Sequence, residues 1–177
     1  RDSSAAAMLL KPRDSPGIAR TMTALNVPRP AWMTEDLVLL EEQAGRFVAA
    51  EYGPHLEKWH DDHMYPREVW TKAGQAGLLC AMIPEEYGGG GGSFAHEVVI
   101  NRAFSLGGFD AFGAPLHSGI VAPYIWRFGT EEQKKRWLPK LASGELVGAI
   151  AMSEPGTGSD LAGVKTTAIK QADGSYL

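Results

Sequence analysis

From Thr34 to Ala142 the apolar residues of this chain recur every three or four positions, and after Gly144 that spacing is lost. A 3.6-residue period puts recurring side chains on one face of an α-helix, so the first stretch reads as amphipathic helices joined by short loops. Thr34 is a helix N-cap, with acidic Glu35 and Asp36 at the positive end of the helix dipole. Leu37, Leu40, Ala44, Phe47 and Val48 make the stripe of this helix, which reaches at least Tyr52. Gly53-Pro54 interrupts or kinks it, and His55 to Trp59 continues it. Asp61 to Tyr65 is a predicted loop. Pro66 then opens a helix with Val69, Trp70 and Ala73 inward and Gly77 at its end.

Ser93 to Leu106 is helical again, with His96, Val99, Ile100, Ala103 and Phe104 on one face, and Ile120 to Phe128 is an apolar segment interrupted by Pro123. Thr130-Glu131-Glu132-Gln133 is a capping box, in which hydroxyl and amide side chains each satisfy an orphan backbone group. The helix behind it, Glu131 to Ala142, sets Glu131 four residues before Lys135 and Glu132 four before Arg136, a solvated ion-paired face. Trp137, Leu138 and Leu141 supply its buried side.

Beyond Gly144 the signals change. Leu146 to Met152 is apolar, interleaved with small residues and too short for a helix of its own. Val164 to Ile169 is β-branched and partly alternating, as a strand is. Asp173-Gly174 is a turn signal, with Ser175-Tyr176-Leu177 as the start of a return strand. The expected organisation is therefore mainly α. Residues 1–33 form a tail or linker, 34–145 a helical domain, and 146–177 the start of a β domain that is incomplete here. Residues 1–30, rich in Ser, Ala, Pro and Arg, also allow a targeting presequence, against which Asp2 and Asp14 argue.

Composition removes several function classes. A net charge of −4 offers no basic patch to replace counterions on DNA or RNA. The single cysteine, Cys80, excludes an internal disulfide and a cysteine-based zinc site, and reads as a small packed hydrophobe. No apolar run is long enough to span a bilayer. His60-Asp61-Asp62-His63 places two imidazoles three residues apart, but no second cluster completes a metal site. His117-Ser118 lacks a nucleophile elbow. The glycine run Gly88 to Gly92 reads as a floppy connector rather than an anion cradle. Trp59, Trp70, Trp126 and Trp137 are expected as core or interface residues.

One stretch carries chemistry: Ser153-Glu154-Pro155-Gly156-Thr157-Gly158-Ser159-Asp160. Pro155 restricts itself and Glu154, two glycines let the backbone approach a ligand, and three hydroxyls both donate and accept. Such a turn is able to hold a polar ring edge or a phosphate through amides and hydroxyls; a plain strand-to-strand turn accounts for it equally well. The P-loop pattern fails because Val164 separates Gly163 from Lys165-Thr166. The G-x-G-x-x-G pattern fails because Leu161 stands at the third glycine.

The stretch Ala151 to Asp160 resembles the flavin-binding signature of the acyl-CoA dehydrogenase family. Pro84-Glu85-Glu86-Tyr87-Gly88-Gly89, Phe128 to Lys134, and Trp137 to Glu145 agree with it in the same order, so the resemblance runs from about Thr34 to Leu177. It implies an N-terminal helical domain followed by the first strands of a β-barrel-like middle domain. It implies FAD as cofactor, contacted by Ile150, Ala151, Met152, Ser153, Glu154, Pro155, Gly156, Thr157, Gly158 and Ser159, with Ser159 also touching the acyl-CoA. The family's reaction converts acyl-CoA to trans-2-enoyl-CoA by glutamate-assisted α-proton removal and β-hydride transfer to flavin. The resemblance places that base beyond Leu177, so no catalytic residue is expected in this chain, and Glu154 does not fill the role. It further implies an electron-transfer flavoprotein-type acceptor, a homotetramer for the complete protein, a place in fatty acid β-oxidation with a long-chain-like substrate, and a bacterial cytoplasm or mitochondrial matrix. By itself the chain is expected to be inactive. The alternative is a non-catalytic helical interaction module that completes a flavoenzyme from separate chains. A relative working by oxidation or nitroalkane chemistry differs only in the base.

Overall fold

A computed structural model describes residues 29–177. The tail or presequence reading of residues 1–28 lies outside the described residues. Seven α-helices follow one another among those described: α1 (Glu35–Phe47), α2 (Leu56–Asp62), α3 (Arg67–Gln75), α4 (Phe94–Leu106), α5 (Ala114–Leu116), α6 (Ala122–Phe128) and α7 (Glu131–Ala142). The chain sorts into two compact units, one running to Pro66 and including Gly92–Phe112, the other made of Arg67–Gly91 and Gly113–Leu177.

In the first unit the helical path does not stop at Gly53-Pro54. It passes from α1 through a π-helical turn, Val48–Tyr52, and a 3-10 turn, Gly53–His55, into α2. Pro54 sits near the start of that tighter turn, where its missing N–H costs nothing. The expected loop at 61–65 begins later than predicted, with His63 in the left-handed conformation that ends α2. The π turn leaves both Val48 and Tyr52 buried. Tyr52 lies 4.5 Å from Phe109, and Phe109 stacks on Phe112 at 4.2 Å. Tyr65 meets Phe109 edge-on at 5.3 Å, and Trp59 lies 5.9 Å from Tyr52. Each such pair adds about 0.5–1.5 kcal/mol to the burial of its rings. An Arg102–Glu41 ion pair joins α4 to α1 at the surface. His96 is drawn off the expected apolar face to cap its own helix, its Nδ1 accepting the Ser93 N–H at 3.0 Å.

In the second unit a core of Cys80, Ile83, Tyr87, Ala122, Leu138, Leu141 and Ala142 packs against Ile125 and Trp126. The capping box of α7 forms: Gln133 N–H donates to Thr130 Oγ1 and Thr130 N–H to Gln133 Oε1. Its ion pair is Lys134–Glu131 at 2.9 Å, one residue shorter in spacing than the expected four-residue pairs. Glu131 is drawn to that side because it also accepts the Tyr87 hydroxyl at 2.9 Å. Pro123 does not break the segment around it. Helical path continues from α5 through a π-helical turn, His117–Val121, and Pro123 falls in the first turn of α6. That turn buries His117 and Ser118 side by side.

The glycine run is not a floppy connector. The N–H groups of Gly89, Gly90 and Gly91 donate to the carbonyls of Pro84, Cys80 and Ile83. A Cβ on Gly89 would fall 2.2 Å from the Ile83 carbonyl oxygen. Gly89 and Gly90 are glycine because two backbone segments touch there, and the amides of Gly88 to Gly91 are already spent within the fold.

The strand expectation is corrected. Among the described residues no strand forms in 146–177; Glu154–Thr157 and Lys170–Tyr176 pair as isolated antiparallel bridges. Ile169 and Leu177 exchange both backbone hydrogen bonds at 3.0 Å, around a turn in which Gly174 takes φ +84° and Asp173 Oδ1 accepts the Ser175 N–H. The hairpin turn is thus present, but Val164 to Ile169 has no neighbouring ladder, and a lone two-stranded pairing is marginal in water.

Candidate functional site

The 150–159 stretch is an exposed loop built on Glu154. Glu154 and Thr157 exchange both backbone hydrogen bonds at 3.0 Å across Pro155-Gly156. Gly156 does not take a positive φ, so this is not the type II turn that a Pro-Gly pair favours. The Glu154 carboxylate reaches over the turn, Oε2 accepting the Lys165 N–H and Oε1 the Thr166 N–H, each at 2.9 Å. Hydrogen bonding from Thr166, then from the Lys165 amide, holds this carboxyl below the usual glutamate range. With both oxygens engaged, Glu154 closes a loop and is not poised to take a proton.

Thr157 is the one buried residue of the stretch, and its hydroxyl donates to the Gly163 carbonyl at 2.9 Å. The three hydroxyls therefore separate: Thr157 is consumed inside the loop, while Ser153 and Ser159 face solvent. Ile150, Ala151, Met152, Ser153, Pro155, Gly156, Gly158 and Ser159 are all exposed, and Glu154 is half-buried. The amides of Ala151, Met152, Ser153, Gly156, Gly158 and Ser159 have no hydrogen-bond partner among the described residues. A Cβ at Gly156 or Gly158 would meet nothing within 4 Å. The surface thus presents N–H and O–H donors with no cation between Ile150 and Val164. Such a donor set suits an uncharged or anionic ring edge bound through dipoles.

Other candidates are dispersed. His60 Nε2 lies 3.4 Å from the Tyr52 hydroxyl, and His63 caps a helix end. Among the described residues no group of three or more His, Cys, Asp or Glu is placed to hold a metal ion. His117 is fully buried and hydrogen-bonded at both ring nitrogens, and Ser118 Oγ accepts the Cys80 N–H at 2.9 Å, so neither is arranged as a nucleophile and its base. The partners of Glu154 and the tie from His117 to Gly148 carry no sequence signal. Both depend on groups that folding brings together from eleven or more positions apart.

Residues 34–145 match the profile described as "Acyl-CoA dehydrogenase, N-terminal domain". The chain belongs to the acyl-CoA dehydrogenase family. The long-chain specific acyl-CoA dehydrogenase of Sus scrofa mitochondria is 39% identical over 157 residues, covering 89% of this chain and 36% of the relative. The (2S)-methylsuccinyl-CoA dehydrogenase of Cereibacter sphaeroides is 38% identical over 142 residues, 80% of this chain and 26% of that one. Among solved structures, an acyl-CoA dehydrogenase from Geobacillus kaustophilus superposes with a TM-score of 0.76 at 43% identity, over 82% of this chain and 38% of that one. An acyl-CoA dehydrogenase from Bacillus anthracis complexed with FAD gives 0.74 at 39% identity, over 84% and 26%. The chain spans about a third of the length of the mitochondrial long-chain relatives. No helix among the described residues is long and apolar enough to cross a membrane.

Proposed function

We propose that this chain is the N-terminal part of an FAD-dependent acyl-CoA dehydrogenase that converts acyl-CoA to trans-2-enoyl-CoA. The observation that carries the reading is the exposed row of unpaired N–H and O–H donors between Ala151 and Ser159, held in place from behind by Glu154. FAD, when bound, supplies the hydride acceptor. Ile150 to Ser159 would lie against its ring system, with the loop amides and the Ser153 hydroxyl donating to the polar edge. Donors aimed where negative charge develops favour the reduced state without reorganising. Ser159 would also contact the acyl-CoA. No residue of this chain serves as the base, and Glu154 is committed to the Lys165 and Thr166 amides.

In this reading 34–145 is the helical domain, and 146–177 opens a β domain whose strands form when neighbouring strands complete the sheet. A long-chain substrate, an electron-transfer flavoprotein-type acceptor, a homotetramer and a place in the bacterial cytoplasm or mitochondrial matrix go with it; the likeness to the long-chain mitochondrial enzymes supports the substrate class. Anaerobic titration of the longer protein bearing this chain tests the proposal. Stoichiometric FAD uptake and bleaching by a long-chain acyl-CoA are expected. A protein that stays colourless with FAD in excess would defeat it.

The second reading, a helical module that docks on a separate chain, draws on the apolar exposure of the same segment. Ile169, Tyr176 and Leu177 are 58%, 64% and 85% exposed. A stable monomer in size-exclusion chromatography with no affinity for a β-domain fragment counts against it.

A further inference from the structure

We infer that His117 is a positioning residue, whose ring sets where the chain leaves the helical core and so where the 150–159 loop begins. Its role toward the flavin rests on the function proposed above; its role as an anchor does not.

The geometry is as follows. Gly148 N–H donates to His117 Nδ1 at 2.9 Å. Because Nδ1 accepts, the ring proton sits on Nε2, which donates to the Leu141 carbonyl at 3.0 Å. One neutral imidazole therefore joins the last turn of α7 to the segment that follows it, using both nitrogens. The ring is fully buried, against Trp70 at 5.2 Å between centroids, and burial holds it below the ordinary histidine range, so the neutral form persists. The π-helical turn that starts at His117 also turns Ser118 inward, to accept the Cys80 amide. Single π turns inside helices recur at functional sites, where they re-aim side chains.

A second feature points to the same place. A Cβ on Gly148 would lie 2.8 Å from Val121 Cγ1 and 3.5 Å from His117 Nδ1. Only glycine lets the backbone come this close, so the approach of 148 to 117 is built in from both sides. The hydrogen bonds described beyond Gly148 are local to the 154–177 stretch. The Gly148–His117 bond is thus the nearest described tether to the core before the donor row starts at Ala151. A loop that binds through fixed dipoles needs such a tether, because misplacement of the donors is felt directly in affinity.

Amide hydrogen exchange on the full chain, with three variants, tests the inference. His117→Gln keeps a donor toward Leu141 and removes the acceptor for Gly148. His117→Asn keeps an oxygen where Nδ1 stands. In His117→Gln, exchange at Gly148 and at the two paired loop amides, Glu154 and Thr157, should quicken on the order of tenfold, with α7 protection unchanged; His117→Asn should restore it. His117→Phe should quicken the same amides without restoration. Amides of Gly148, Glu154 and Thr157 that exchange as in the wild type in all three overturn the inference. Should His117→Gln fail to fold, nitrogen-15 spectra of the wild-type imidazole decide. A neutral ring with its proton on Nε2 supports the tether, and the opposite tautomer or a cationic ring at neutral pH overturns it. FAD titration of the longer protein separates the two readings. Weaker FAD binding in His117→Gln, recovered in His117→Asn, extends the tether to the cofactor. A wild type that takes up no FAD, with the exchange pattern intact, defeats the flavin reading and leaves the anchor standing.

Discussion

His117 and Glu154 each organise a stretch of backbone by accepting or donating at two points, yet one is buried in the helical core and the other stands at the surface of the loop. His117 spans from the buried Leu141 carbonyl of α7 to the half-buried Gly148 amide, from within the core. Glu154 spans its own loop to Lys165 and Thr166, where solvent competes for every group. The same chemistry therefore has two consequences. In the core it governs whether the fold holds together; at the surface it governs only the shape of one loop. A buried group that loses its partner costs about 1–3 kcal/mol, whereas an exposed one is rehydrated.

The comparison breaks most readily at His117. Replacing it with Leu should lower unfolding stability by about 2–4 kcal/mol, since the buried Leu141 carbonyl and the half-buried Gly148 amide both lose a partner. Urea unfolding measures this, and a loss below about 1 kcal/mol would mean that water reaches the site. Next comes Gly148→Ala, expected to cost about 1–3 kcal/mol because its Cβ meets the Val121 side chain.

Acidification should separate the two regions on the pH axis. Both groups have folded-state pKa values depressed from their ordinary ones, so each contributes stability that is present at higher pH and lost as pH falls. For His117 the decline begins below the ordinary histidine value of 6.5, with a slope of at most about 1.4 kcal/mol per pH unit for one proton. For Glu154 it begins only below the ordinary glutamate value of 4.5, and it should appear as faster exchange at the Lys165 and Thr166 amides. Global stability that stays flat from neutral pH down to that lower value would contradict the buried assignment. At neutral pH, Glu154→Gln should speed those two amides and leave the melting temperature unmoved. Smallest of all is Gly156→Ala, within about 0.5 kcal/mol on the fold, because its Cβ enters open space at an ordinary φ. In the longer protein the same change should weaken FAD binding, which sharpens the contrast with Gly148.

Much of this architecture was legible residue by residue. The stripe from Leu37 to Val48, the Thr130 capping box and the Asp173-Gly174 turn all depend on neighbours within four positions, and each is found where it was read. The misreadings share a cause. Gly88 to Gly92 looked loose because the carbonyls of Cys80, Ile83 and Pro84 that occupy its amides belong to a reversal of the chain. Pro123 looked like a break because the π-helical turn that leads into it has no composition of its own. Val164 to Ile169 looked like a strand because its β-branched pattern is suited to one, but a ladder needs a second chain segment. Within the candidate site, the donor row was legible as a motif. The division of labour among Ser153, Glu154, Thr157 and Ser159 was not, since Gly163, Lys165 and Thr166 decide it.

The amino-acid order alone determined the buried stripe of α1, the capped start of α7, and that helices give way after Gly144. Those properties rest on local torsions, caps and periodicity, which act over a turn or two of chain. Only the tertiary structure decided that His117 ties Gly148 to α7, that Glu154 is a strut and that Gly89 and Gly90 sit at a tight crossing. Each of these is a hydrogen bond or close approach between segments five or more positions apart, which local torsions and periodicity do not encode.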